Sequence, residues 1–91
     1  MKYKLNNTFT FAVEPYEKKA RLVVFDGDDE FVCRKERIPV LNEFLELMEG
    51  KIFKGRLQLV KEQATINIIV KGDLAGSIAM NDFKREIEKL K

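Results

Sequence analysis

The sequence predicts an α+β domain, an antiparallel sheet of about six strands with two helices packed on one of its faces, in the order β-β-β-α-β-β-β-α. Three observations carry this expectation. Apolar residues alternate with period two in several short runs. Two other runs hold the i, i+3, i+4, i+7 spacing of a helical face. The connections are too short for parallel crossovers, so neighbouring strands run antiparallel. A length of 91 residues accommodates one hydrophobic core, so residues 1–91 are read as one domain.

The first strand is read from Thr8 to Val13, with Phe9, Phe11 and Val13 on one face, a start near Tyr3 and Leu5, and Pro15 as its end. Ala20 to Phe25 and Phe31 to Arg37 are rich in β-branched and aromatic types and flank Asp26-Gly27-Asp28-Asp29, whose Asp-Gly pair favours a hairpin turn. Pro39 to Gly50 reads as a helix, with Leu41, Phe44, Leu45 and Met48 facing inward, proline in the first turn and Gly50 closing the end. Strands follow at Ile52 to Lys61, Thr65 to Lys71 and Leu74 to Met80. Asn81 or Asp82 then caps a last helix with Phe83, Ile87 and Leu90 inside.

Composition narrows the function. The chain has no histidine, which removes imidazole-dependent nucleophilic catalysis and histidine-ligated zinc. Cys33 is the one cysteine, so neither an intramolecular disulfide nor a cysteine-rich zinc site is available. These absences lead to the expectation of a protein that is not an enzyme and carries no cofactor or metal. No apolar run approaches the roughly 20 residues of a membrane span, and the lysine-bearing N-terminus lacks the apolar stretch of a signal peptide. A cytoplasmic location is therefore expected. The formal charge of +2 is small and spread along the chain, which makes nucleic acid a secondary expectation.

The candidate contact residues fall into three groups. Asp28 and Asp29, in a cluster with Asp26 and Glu30, form an acidic hairpin tip, whose spacing does not match a calcium loop. Glu43, Glu46 and Glu49 follow at i, i+3 and i+6 as an acidic helix strip, suited to steering onto a basic partner. The sheet face opposite the helices carries Val23, Phe25, Val32, Val60, Ile69, Ala75 and Ala79 among Arg21, Arg34, Arg56, Thr65 and Asn67. Such a face is more apolar than solvent alone explains, so a partner protein or a second copy in a homodimer is expected to cover it. Cys33 is read as a small buried hydrophobe beside Phe31. The alternative is a nucleic-acid accessory surface made by Arg21, Arg34, Lys54 and Arg56.

In its element order, from the strand pair beginning at Leu22 through the helix Pro39 to Glu49, the strands around Leu57-Gln58-Leu59 and Ile66-Asn67-Ile68, and the closing Asn81-Asp82-Phe83 helix, the chain resembles small bacterial immunity proteins of the wall-associated toxin type. The resemblance implies a module that neutralises a toxin domain by binding it. No functional residue is carried over, because no diagnostic motif is shared. The sequence thus points to a non-enzymatic protein-binding module.

Overall fold

The computed structural model describes residues 2–90. Within them the chain forms β1 (Lys2–Lys4), β2 (Phe9–Tyr16), β3 (Lys19–Asp26), β4 (Asp29–Arg37), α1 (Ile38–Glu46), β5 (Glu49–Ile52), β6 (Leu57–Glu62), β7 (Thr65–Val70), β8 (Asp73–Ala79) and α2 (Met80–Glu88). The α+β class and the antiparallel pairing agree with the sequence. In place of one six-stranded sheet there are two four-stranded ones, ordered β1-β2-β3-β4 and β5-β6-β7-β8. The first extra strand arises because Asn6 Oδ1 accepts the N–H groups of Thr8 and Phe9, each at 2.7 Å. That local turn folds β1 back onto β2. The second, β5, begins where α1 stops, three residues short of the expected Glu49.

The chain is therefore a ββββα unit made twice, a repeat that has no fixed period in the sequence. Both units put a non-glycine residue at positive φ first in their β2–β3-type hairpin, Glu17 at 53° and Gln63 at 54°. Both carry a β-bulge two residues into the last strand: Phe31 is the extra residue between Glu30 and Val32, and Ala75 the one between Leu74 and Gly76. Both helices start from an extended residue without a side-chain cap, Arg37 at φ −68°, ψ 141° and Ala79 at φ −69°, ψ 140°. Neither Asn81 nor Asp82 serves as the cap; both lie inside α2.

Bulges and strand ends account for most departures from the alternation rule. The extra residue at Phe31 turns Phe31 and Val32 both inward, so Val32 joins the core and Cys33 faces outward, exposed. Ala75 moves into the core for the same reason. Pro15 does not end β2. It pairs with Ala20, beside the Tyr16–Lys19 pair that closes the hairpin, so its nitrogen faces the side where β1, paired only to Thr10 through Ala12, has already ended. Met48 is 80% exposed instead of buried, because α1 ends at Glu46 and Leu47 turns extended, its N–H bonded to Phe44 O. Gly50 lies in β5 rather than at the helix cap.

One core joins both units. Phe11, Leu22 and Val24 from the first sheet, Leu59, Ile66 and Ile68 from the second, and Leu41, Phe44, Phe83 and Ile87 from the helices belong to one buried cluster. Phe11 stacks on Phe83 with centroids 6.2 Å apart, which ties the middle of the first sheet to the helix of the second unit. At the sheet edges, Asn6 Nδ2 donates to Ala75 O at 2.6 Å, and the Arg34 guanidinium of β4 lies 4.3 Å from the ring centre of Phe53, which follows β5. Edge strands covered this way are poor templates for further pairing.

Candidate functional site

The outer face of the first sheet is charged and internally satisfied. Arg21 pairs with Glu14 at 2.8 Å and also with Glu30, and these bonds, Glu30 foremost, raise the guanidinium pKa. Lys2 stands 4.2 Å over the Phe25 ring and Lys35 4.0 Å over the Tyr16 ring. Val23 and Phe25 do point outward, in a small cluster with Ala12. They are nevertheless buried, Val23 completely, because long charged side chains lay their aliphatic stems across them. The expected open apolar face does not exist on this sheet.

The outer face of the second sheet is different. Across β6, β7 and β8 the outward positions are Gln58, Val60, Glu62, Thr65, Asn67, Ile69, Leu74, Ser77 and Ala79, with Glu62 at the end of β6 the one charged residue among them. Ile69 and Val60 are half-buried, and Leu74 is 63% exposed. Ser77 Oγ donates to Asn67 Oδ1 at 2.6 Å, which holds two of the polar groups to one another. The charges gather on the β5 side, where Lys51 and Glu49 stand opposite Val60 and Glu62.

The acidic candidates separate into two places. Asp28 and Asp29 sit at the β3–β4 tip, whereas Glu43 and Glu46 lie on α1, and the length of β4 between them is about 25 Å at the usual strand rise. Tip and strip therefore form no common surface. Glu49 leaves the helix and lies in β5 directly opposite Glu62; like charges so placed repel by a few tenths to about 1 kcal/mol. Among the described residues no three acidic or thiol groups stand close enough to hold a metal ion.

Three of the four basic candidates converge and one does not. Arg21 is held in its ion pairs on the first sheet. Lys54 and Arg56 lie in the β5–β6 loop, and Arg34 reaches the same loop, its Nη1 being 3.9 Å from where a side chain on Gly55 would begin. Lys71, which sequence reasoning left out, completes the group. Its N–H donates to Arg56 O at 2.7 Å, and its ammonium stands 4.3 Å over the Phe31 ring. The only sequence signal for it was Lys71-Gly72 at a hairpin turn, and a lysine in a turn is usually just solvated.

Two buried ionisable groups are structural. Lys61 points into the core and donates to Leu47 O, satisfying a carbonyl freed at the end of α1. Glu86 occupies in α2 the place that Phe44 has in α1, counted from the helix starts. It accepts from Tyr3 Oη at 3.3 Å and from Lys89 Nζ at 3.0 Å. Burial raises its pKa, but the bond and charge of Lys89, helped by Tyr3, outweigh burial and leave it below its ordinary value.

Comparison with known proteins finds no matching family model, no matching curated protein and no matching solved structure.

Proposed function

We propose that the chain is a non-enzymatic protein-binding module, of the immunity-like kind its element order resembles, and that it engages its partner with the outer face of the second sheet. One observation carries the reading. Two sheets with the same strand order, hairpin bend and bulge differ in what they show outward: the first buries Val23 and Phe25 beneath charged side chains, and the second presents Val60, Ile69 and Leu74 on a face whose charges, Glu49, Lys51 and Glu62, lie on its β5 side. An uncharged, partly apolar patch with a charged rim is the composition of an interface centre. The partner is another protein or a second copy of the chain.

The test is affinity capture combined with light scattering on three forms of the protein: wild type, Ile69→Glu with Leu74→Glu, and Lys35→Glu on the first sheet as control. The expected result is one partner, or a dimer mass, present with wild type and the control and lost with the double variant. Equal retention by all three forms, or a monomer that retains nothing, overturns the proposal.

A further inference from the structure

We propose that Arg34, Lys54, Arg56 and Lys71 form an anion site that takes the backbone of single-stranded nucleic acid. This inference goes beyond the protein-contact reading and does not rest on it, because it concerns the end of the second sheet and not its outer face.

Three features of this corner point to an anionic ligand. First, none of these four cations has a carboxylate partner within the described residues, although the chain carries fifteen acidic groups and Arg21 alone engages two. Second, two of the cations are fixed in place by rings, Arg34 on Phe53 and Lys71 on Phe31. Such stacking orders a cation without neutralising it, leaving its hydrogens for a ligand. Third, Phe53 stands at φ 75°, a left-handed conformation that is an outlier for a bulky residue. Strain of this kind costs of order 1–3 kcal/mol and collects at functional sites. Here it places the ring that supports Arg34.

The shape of the corner favours a nucleic-acid strand over an acidic protein segment. Gly55 bears no side chain, and one added there would touch only Arg34 Nη1, so the loop is open to a ligand backbone. Beside Lys71, between the two bulges, lies a cleft of about 170 Å³ lined by Phe9, Phe31, Val70, Leu74 and Ala75, with Lys71 and Asp73 also on its wall. That is well below the roughly 300–1,000 Å³ of small-molecule pockets and suits a single flat ring. Phosphates held by cations next to an aromatic-walled slot for a base is how sequence-tolerant single-strand binding works. A glutamate-rich peptide would use the cations but has nothing to place in the cleft.

The test is fluorescence anisotropy of the whole chain with a labelled fifteen-nucleotide deoxythymidine strand at several salt concentrations. With three to four phosphate contacts, log K against log[salt] is expected to fall with a slope of about −2 to −3, so that affinity drops about 20- to 50-fold between 50 and 200 mM salt. Lys54→Glu with Arg56→Glu, both at exposed positions, should weaken binding at least tenfold and flatten the slope by about 1.4. Lys35→Glu should leave both unchanged. Arg34→Met, which keeps an aliphatic cover on Phe53, provides a second variant that should also weaken binding. No binding at ~100 µM protein in 50 mM salt, where even non-specific binders associate, overturns the proposal. So does equal binding by the double variant, and so does displacement of the strand by poly-glutamate at matched charge, which assigns the corner to an acidic protein segment.

Discussion

Replacing Gly76 with alanine should be among the most damaging single-methyl changes in this chain, and the size of the effect follows from the geometry. Gly76 sits in β8 opposite Ile68, at φ +157°. A Cβ added there would lie 2.5 Å from Leu5 Cβ, 2.9 Å from Leu5 O and 3.0 Å from Leu5 Cα. Two of these atoms are backbone, so the strain cannot be relieved by a rotamer change. Either the β1–β2 connection moves away, and with it the Asn6 Nδ2 bond to Ala75 O, or β8 does. Overpacking of this kind costs about 1–3 kcal/mol, and the unfavourable backbone conformation adds a comparable amount. A loss of about 2–6 kcal/mol is expected, a large share of the roughly 5–15 kcal/mol of an ordinary domain. For a chain of this size that lowers Tm by about 10 °C or more. Urea unfolding measures it directly: the midpoint should fall with the m-value unchanged. Gly55→Ala, which meets only the tip of Arg34, is the matched control and should stay within about 0.5 kcal/mol. Leu5→Gly should rescue Gly76→Ala only in part, since it removes the 2.5 Å contact and leaves the two backbone ones. A Gly76→Ala protein as stable as wild type would refute the packing of the N-terminal hairpin against β8.

Two further outcomes are expected. Because the folded-state pKa of Glu86 is depressed, its carboxylate contributes stability above the unfolded-state pKa, and that contribution is lost as pH falls through the folded one; Glu86→Gln should therefore cost about 1–2 kcal/mol at pH 7 and show a shallower loss of stability on acidification below pH 5, read by urea midpoints across pH. Cys33 should react with a thiol reagent in the native protein as fast as an accessible thiol does, and Cys33→Ser should change stability by no more than about 0.5 kcal/mol, whereas slow, unfolding-limited labelling would place the side chain inside.

Sequence patterning captured those features in which one local rule dominates. The Asp26-Gly27 hairpin, the inner faces of β3 and β7, and the Phe83–Ile87 face of α2 are all where alternation or helical spacing puts them. It failed where two rules compete. Met48 continues the helical spacing of Leu41, Phe44 and Leu45, yet the helix has already ended, since the chain must turn at Leu47 to put Glu49 beside Glu62 and let Lys61 reach the Leu47 carbonyl. Those are contacts with residues more than ten positions away, invisible to any local window. Val32 and Ala75 were assigned to the wrong face because a bulge shifts the period by one, and a bulge leaves no compositional mark at Phe31 or Ala75. The basic corner was three-quarters legible as residue types. Only the fold could show that Arg21 belongs to an ion-paired face and that Lys71 replaces it.

The repeated element order gives the asymmetry its meaning. The features the two units share, the hairpin φ values at Glu17 and Gln63, the bulges at Phe31 and Ala75, and the extended residues before each helix, all concern backbone path, where a change would disturb strand pairing. The side chains differ in places the backbone does not constrain. Stability alone does not call for a second sheet whose outward β7 and β8 positions are all uncharged, since the first sheet has the same architecture and carries Arg21, Lys35 and Glu30 outward without penalty to its core. Nor does it call for four cations at one end that form no ion pair among the described residues, when the first sheet pairs its own arginine twice. The two units share one backbone path and differ in what they present, and the difference lies almost entirely on the second unit and the strand that borders it. That is the distribution expected when one half of a molecule supplies the frame and the other half meets the ligand.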